Sequence, residues 1–182
     1  MKKTFLLAVA YAMVAACNSG GNTEKQQEPV VASSDTKQQA VEFADAKYTD
    51  IGKKALAAMS SGDIDAWTSI FADSARYYWN SGDSLIGKPA ISAYWKKRRT
   101  EVIDSISFSY DMWLPVKVNE PQQPVQMPGV WLLSWYQVHS KYKNGKTMSQ
   151  WIHNDFHFDA NDKVDEVVQY IDKAPINAAL TK

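Results

Sequence analysis

Residues 130–158 have the sequence VWLLSWYQVHSKYKNGKTMSQWIHNDFHF, which predicts two long β-strands joined by a tight turn. Hydrophobic and polar residues alternate through 130–142 and again through 147–158, as in strands that bury one face. The Asn-Gly pair at the centre of the turn favours a two-residue type I′ hairpin. Such a turn pairs Trp135 with Asn154, and this register decides which side chains share a face.

This register places the more apolar side chains of the hairpin on one face, which we expect to meet the helices. That face carries Trp131, Leu133, Trp135, Gln137 and His139 opposite Phe158, Phe156, Asn154, Ile152 and Gln150. The other face carries Leu132, Ser134, Tyr136 and Val138 opposite His157, Asp155, His153 and Trp151. His153 and His157 are about 13 Å apart along an extended strand, so we expect no metal ion between them.

Hydrophobic periodicity upstream of the hairpin predicts three helices and one short strand. Residues 48–59 have helical spacing and stop at Gly62, and Asp63 can cap a second helix. Residues 75–79 predict a strand, and Pro89 is placed to open a third helix.

A strictly alternating segment, residues 105–114, follows the third helix. The alternation assigns Tyr110 and Met112 to the core face and Trp113 to the outer face. Pro115 should bend or interrupt this strand, and a last strand is predicted at 163–172. The order of elements indicates an α+β fold with three N-terminal helices packed on a curved, mostly antiparallel sheet.

Residues 1–17 resemble a bacterial lipoprotein signal. Lys2 and Lys3 precede an apolar run at 4–13 that is too short to span a bilayer, and Val-Ala-Ala stands directly before Cys17. The resemblance implies removal of residues 1–16 and acylation of Cys17 with fatty acids such as palmitate. An ordinary secretory signal, cut after an alanine, is the alternative.

The signal divides the chain into four segments. They are a signal peptide at 1–16, a polar, flexible tether at 17–46, a folded domain at 47–175 and a tail at 176–182. Acylated Cys17 would anchor the protein through membrane lipid at the cell envelope. Asn18 differs from the aspartate that retains some lipoproteins at the inner membrane, which favours the outer membrane.

The composition excludes several classes of protein. With 20 basic and 20 acidic residues, the chain lacks the positive excess of a nucleic-acid binder. Its 7 Trp, 9 Tyr and 6 Phe indicate a packed domain rather than a disordered chain. The single cysteine cannot form an intramolecular disulfide or a thiolate zinc cluster, and we expect no metal and no cofactor.

Four short motifs resemble the nuclear transport factor 2-like (NTF2-like) superfamily, particularly its SnoaL-like members. They are GDIDAW at 62–67, IFAD at 70–73, GKPAI at 87–91 and FDANDKV at 158–164, with Asp162 where glycine is usual. The resemblance implies a cone-shaped barrel, also described as cystatin-like, with an internal pocket. Many members are dimers through the outer face of the sheet, and the scaffold hosts unrelated activities.

Ketosteroid isomerase, one member of the superfamily, uses a carboxylate base, a tyrosine and a protonated aspartate. Counting from the shared motifs, these positions fall on Trp79, Ala55 and Asn154. Tryptophan cannot accept a proton and alanine cannot donate a hydrogen bond. The resemblance therefore predicts no isomerase of this type, and the same changes argue against the acid chemistry of SnoaL-like cyclases.

The first functional hypothesis is a membrane-anchored domain that binds a small apolar or aromatic ligand without turnover. Its predicted pocket residues are Tyr77, Trp79, Tyr94, Trp95, Tyr110, Trp131, Trp135, Gln137, Asn154 and Phe156. The second is a homodimeric interaction module with a filled barrel, whose predicted dimer face carries Trp113, Tyr136, Trp151, His153 and Asp155. The third is an isomerase, cyclase or hydrolase that uses His139, Asn154 or Asp83.

Overall fold

The computed structural model describes residues 38–124 and 127–181. Cys17, the signal peptide and most of the predicted tether lie outside these residues. The compact unit Lys37–Lys182 contains every helix and strand described below. Within 38–124 and 127–181, no helix combines the length and the apolar character needed to cross a bilayer.

The described residues include four helices, which pack on one face of the sheet. Asp63 caps the second by accepting a 2.8 Å hydrogen bond from the Ala66 amide, and Gly62 ends the first with a φ of 85°. The fourth is capped by Asp172 and includes most of the segment that we predicted to be a tail. The helices are α1 (Lys47–Ser61), α2 (Ile64–Thr68), α3 (Lys88–Glu101) and α4 (Lys173–Leu180).

Seven strands form one sheet in the order β1-β4-β5-β6-β7-β2-β3. Strands β4 to β7 make the predicted antiparallel meander, whereas β2 joins β7 in parallel, so the sheet is mixed. The strands are β1 (Val41–Phe43), β2 (Phe71–Trp79), β3 (Ser84–Ile86), β4 (Ile103–Val118), β5 (Gly129–Tyr142), β6 (Thr147–Phe158) and β7 (Val164–Tyr170).

The edge strand β1 was not predicted, since its residues were assigned to the tether. It pairs with the end of β4, and the Ala44 amide donates to the Pro115 carbonyl across 3.0 Å. The carbonyl and the nitrogen of Pro115 therefore face β1 and not β5, just beyond the last paired residues of β1, and the pairing of Pro115 with Leu132 of β5 is kept. The expectation that Pro115 interrupts β4 is therefore wrong.

The turn between β5 and β6 has three residues rather than two. The Tyr142 amide donates to the Lys146 carbonyl at 2.8 Å, and the Gly145 amide donates to the Tyr142 carbonyl at 2.9 Å. Gly145 has a φ of 85°, whereas Asn144 is not in the left-handed region that a type I′ turn requires. The loop is a type I turn followed by a left-handed glycine.

This longer loop shifts the pairing of the hairpin by one residue. Asn154 pairs with Ser134 and not with Trp135. Because side chains alternate, β6 keeps its predicted orientation while every residue of β5 faces the opposite way. Leu132, Tyr136 and Val138 are buried in the core, and the side chains on the outer face are those of Trp131, Leu133, Trp135, Gln137 and His139.

A bulge in β4 reverses a second set of side chains. Tyr110 and Asp111 together lie opposite Tyr136, and Tyr110 has a positive φ of 55°. The extra residue shifts the alternation by one, so Trp113 packs inward while Met112 is exposed. The prediction that Tyr110 and Met112 face the core is therefore wrong.

The helices pack on the inner face of the sheet around a continuous hydrophobic core. Burial of each large apolar side chain stabilises the fold by about 1.5–3 kcal/mol. The most completely buried apolar side chains come from β2, α3, β5 and β7, and they are Phe71, Ile91, Leu132, Val164 and Val167.

Candidate functional site

The core encloses a cavity of about 80 Å³ between the helices and the inner face of the sheet. Among the described residues on its wall there is no Asp, Glu, His, Lys or Cys. The wall is mainly aromatic and aliphatic, and its larger members include Trp67, Tyr77, Trp95, Phe108, Trp113, Tyr136, Tyr142, Ile152 and Phe156.

Asn154 supplies the central polar group of the cavity. Its side chain is 1% exposed, and Nδ2 donates a 2.6 Å hydrogen bond to the Tyr136 hydroxyl. The Asn154 Oδ1 atom is buried without a hydrogen-bond partner. Burial raises the pKa of Tyr136 above its usual value, so the phenol stays protonated at neutral pH.

Trp95 supplies a second buried polar atom, because its Nε1 also has no hydrogen-bond partner. The ring is fixed by edge-to-face contacts, at centroid distances of 5.6 Å to Trp67 and 5.4 Å to Tyr94. A lone acceptor on Asn154 and a lone donor on Trp95 therefore lie on the wall of one apolar cavity.

A larger groove of about 430 Å³ adjoins the cavity under α4. Cavity and groove share five wall residues, namely Trp95, Arg98, Gln169, Ile171 and Ile176. At the rim, Lys173 forms an ion pair with Asp83, and hydrogen bonding from Lys173 lowers the pKa of that carboxyl. The two spaces form one site, with a closed inner end and an outer end at the α4 rim.

Gln169 lies on the walls of both the cavity and the groove. Its Oε1 accepts a 2.9 Å hydrogen bond from Trp79 Nε1, and its side chain is buried. The bond crosses the parallel pairing of β2 with β7, where these two residues are direct neighbours. The Trp79 indole is therefore held on the groove side, with its donor already used.

Comparisons with known proteins identify the fold. No family model matches the sequence, and no curated protein matches it either. Among solved structures, a protein from Xanthomonas campestris named a polyketide cyclase superposes with a TM-score of 0.59 at 17% identity, over 74% of this chain and 97% of its own. An NTF2-like protein of unknown function from Burkholderia pseudomallei gives 0.61 at 12% identity, over 76% and 100%.

A third neighbour, named a SnoaL-like polyketide cyclase, comes from Shewanella denitrificans. It superposes with a TM-score of 0.55 at 14% identity, covering 75% of this chain and 98% of its own. The domain has the NTF2-like fold. At these identities the similarity establishes the architecture, and it leaves the activity of this NTF2-like domain to be argued from its own residues.

The structure divides the predicted pocket residues of the NTF2-like domain into three groups. Tyr77, Trp95, Asn154 and Phe156 line the inner cavity. Trp79 and Tyr94 line the groove instead. The remaining four lie on neither wall, because the bulge and the hairpin register turn them to the outer face, and they are Tyr110, Trp131, Trp135 and Gln137.

Sequence reasoning missed several wall residues of the NTF2-like domain. Tyr136 and Trp113 were predicted on the dimer face, yet both point inward, with ring centroids 6.0 Å apart. Arg98 was not among the predicted pocket residues, yet it lies on the walls of both the cavity and the groove. A three-residue loop at Asn144-Gly145 was the alternative hairpin geometry that would have turned Tyr136 inward.

The three catalytic candidates do not form a common site. His139 lies on the outer face between the Ser109 and Ser149 hydroxyls, at 2.9 and 2.7 Å. Asp83 lies at the groove rim in its ion pair, and Asn154 lies in the cavity. Among residues 38–124 and 127–181, no group of three or more His, Cys, Asp or Glu side chains could hold a metal ion.

The outer face of the NTF2-like sheet keeps three of the five predicted dimer residues: Trp151, His153 and Asp155. His153 stacks on Trp135 at 4.5 Å and pairs with Asp155 at 2.8 Å. Burial raises the pKa of Asp155, and the charge of His153 opposes that shift. We call the exposed apolar side chains Tyr110, Met112, Trp151 and Tyr170 the outer-face patch.

Proposed function

We propose that this NTF2-like domain binds a small, mostly apolar molecule in the cavity and the adjoining groove, without turnover. The supporting observation is the pair of unpartnered polar atoms on the cavity wall, Asn154 Oδ1 and Trp95 Nε1. A buried polar group without a partner destabilises a protein by about 1–3 kcal/mol. A ligand with a donor and an acceptor would remove both penalties at once.

The dimensions of the site set the size of this ligand. For comparison, an engineered apolar cavity of about 150 Å³ binds benzene. The inner cavity has about 80 Å³, so it fits only a small end of a ligand, and the rest would occupy the groove of about 430 Å³. The ligand is therefore expected to be elongated, with a narrow, mostly apolar end inside that carries the polar groups for Asn154 and Trp95.

The chemistry of the wall favours binding over catalysis. General acid–base catalysis needs a group that gains or loses a proton near the working pH. Burial raises the pKa of Tyr77 and of Tyr136, and the Asn154 amide does not titrate. The names of the structural neighbours make polyketide cyclisation the alternative activity, but the described cavity wall offers no carboxylate to carry it, and Asp83 on the groove wall is paired with Lys173.

Native mass spectrometry of the unit Lys37–Lys182 tests the proposal. We expect the protein purified from its own host to carry a discrete small molecule, which is lost in Asn154→Leu and retained in the outer-face control Gln137→Leu. Bare protein together with a crystal structure showing water on both unpartnered atoms would contradict it. The substitution Trp95→Phe, which removes only the indole donor, should weaken retention without emptying the site.

A second candidate function is homodimerisation through the outer-face patch. Tyr110 is 73% exposed and Trp151 is 51% exposed, and their rings lie 6.3 Å apart. Clustered exposed rings of this kind are typical of protein interfaces. The occupant we propose is a second copy of this chain, as the resemblance to dimeric NTF2-like proteins implies.

We also propose that acylated Cys17 anchors the domain at the bacterial outer membrane. The support is the sequence alone: two lysines, a short apolar run and small residues ending at the only cysteine. In cells fed labelled palmitate, we expect the label on the wild-type protein and none on Cys17→Ser, which should leave the membrane fraction. Membrane association of unlabelled Cys17→Ser would show an uncleaved signal as the anchor.

A further inference from the structure

Arg98 is a cation without a carboxylate partner at the junction of the cavity and the groove. It is half-buried on the wall of both spaces, and no described carboxylate forms an ion pair with it. Its guanidinium carbon lies 5.7 Å from the centroid of the Tyr94 ring. Burial raises the pKa of Tyr142 on the cavity wall, and the positive charge of Arg98 opposes that shift.

The other basic side chains at the C-terminal end of α3 have partners outside the site. Lys96 pairs with Asp65 at 2.6 Å, and Lys97 lies 4.0 Å from Glu101. Arg99 donates to the backbone carbonyl of Asp104 at 2.9 Å. Of these four basic residues, only Arg98 lies on the wall of the site. Its guanidinium contacts the Tyr94 ring, and its N–H groups have no acceptor among the described residues.

A half-buried charge is unfavourable unless it is paired, and a guanidinium presents a planar fork that matches a carboxylate. The groove strengthens this preference, because its other charges, Lys173 and Asp83, neutralise each other. The groove therefore carries one uncompensated positive charge at the entrance to an apolar cavity.

We propose that the ligand of this site is an amphipathic carboxylate, with its anionic group on Arg98, a short apolar end in the cavity and the rest of its apolar surface against the groove wall. This rests on the proposed function, because it specifies the chemistry of the same ligand. The carboxylate stays at the junction while the apolar end extends toward Asn154. The Arg98 guanidinium, which lies over the Tyr94 ring, thus selects anionic over neutral molecules of equal shape.

Matched pairs of probes separate the charge from the apolar body. Hexanoate, octanoate and decanoate are titrated into Lys37–Lys182 by calorimetry, each beside the alcohol of the same chain length. We expect the carboxylate of the best-fitting pair to bind at least tenfold more tightly than its alcohol. In Arg98→Gln that preference should disappear, with the affinity for the alcohol unchanged within twofold.

Two further variants control this comparison. Lys97→Gln removes the same charge from an exposed position on the same helix, and it should keep the tenfold preference. Arg98→Lys keeps the charge without the planar fork, and it should retain part of the preference. Thermal unfolding of each variant shows that it is folded before it is titrated.

Three results would overturn the proposal, and they differ in what they leave standing. Equal affinity for carboxylate and alcohol in the wild type would refute the role of Arg98 while the apolar pocket stands. An equal loss of both affinities in Arg98→Gln would show that the side chain acts by packing and not by charge. If no probe of any length bound, the proposed function would fall with it.

Discussion

The Asn154 amide and the Tyr136 hydroxyl are joined by a hydrogen bond of 2.6 Å inside the cavity. The bond connects neighbouring strands β5 and β6, and it directs the nitrogen of the amide toward the phenol. The opposite atom, Asn154 Oδ1, is then left without a partner. The polarity of the cavity is thus set by two side chains whose positions depend on the register of one hairpin.

Removing both members of this pair should destabilise the domain by less than the sum of the two single removals. Tyr136→Phe leaves the Asn154 amide without an acceptor, which should lower the free energy of unfolding by about 1–3 kcal/mol. The double variant Tyr136→Phe with Asn154→Leu leaves no unsatisfied polar atom, so its loss should be smaller than the sum of the single losses. Urea unfolding of the four proteins measures this coupling, and strict additivity would contradict it.

A methyl group at Gly52 should be destabilising despite the gain in helix propensity. An added Cβ would overlap Trp113 Cζ3 and lie 2.9 Å from Leu132 Cδ2. Overpacking of a core costs about 1–3 kcal/mol, against about 1 kcal/mol gained on replacing glycine in a helix. We expect a lower melting temperature for Gly52→Ala, with partial recovery when Trp113→Phe makes room.

The left-handed residue Asp162 should make stability depend on pH. Its carboxylate accepts hydrogen bonds of 2.7 Å from Lys47 Nζ and from the Tyr48 hydroxyl, which hold its pKa below the usual value. The stabilisation is therefore complete above the unfolded pKa of about 3.9, and it is lost as the pH falls through the lower folded pKa.

The variant Asp162→Asn isolates this charge, because asparagine also tolerates the φ of 57° at this turn. We expect the wild type to be more stable than Asp162→Asn at pH 6, with the difference shrinking toward pH 3. Urea unfolding across that range measures it. A difference that stayed constant with pH would show that the carboxylate charge contributes nothing.

The dimer proposal predicts that Trp151→Ser dissociates the protein. The substitution removes a half-exposed ring from the centre of the outer-face patch, where interface energy is concentrated. Ile86→Ser is the control, since Ile86 is similarly exposed on the edge strand β3. Sedimentation velocity should show a dimer for the wild type and the control. A monomeric wild type would refute the proposal.

The sequence predicted the order and type of most elements because their signals are local. Helix stops such as Gly62 and caps such as Asp63 act within a few residues of the chain, and the structure has both. The order of helices and strands along the chain, together with the four motifs, was sufficient to predict the NTF2-like fold. Edge strands β1 and β3 and helix α4 were missed, since segments of three to eight residues are too short to show a clear periodicity.

The faces of the strands could not be predicted with the same success. An alternating pattern states which residues share a face, but a single extra residue reverses every assignment beyond it. The bulge at Tyr110 supplies one such extra residue. The loop between β5 and β6 supplies the other, because it has three residues and not two. The bulge lies opposite Tyr136, whereas the loop lies at the far end of the hairpin and turns Tyr136 inward through the register alone.

The parallel pairing of β2 with β7 determines when the binding site forms during folding. The Trp79–Gln169 hydrogen bond joins positions separated by 90 residues, whereas β4 to β7 pair with their neighbours along the chain. Local pairings form early, and long loops close late. We expect a bound ligand to slow unfolding without accelerating refolding, as a chevron measurement would show. A nascent chain therefore has no pocket until its final strand leaves the ribosome.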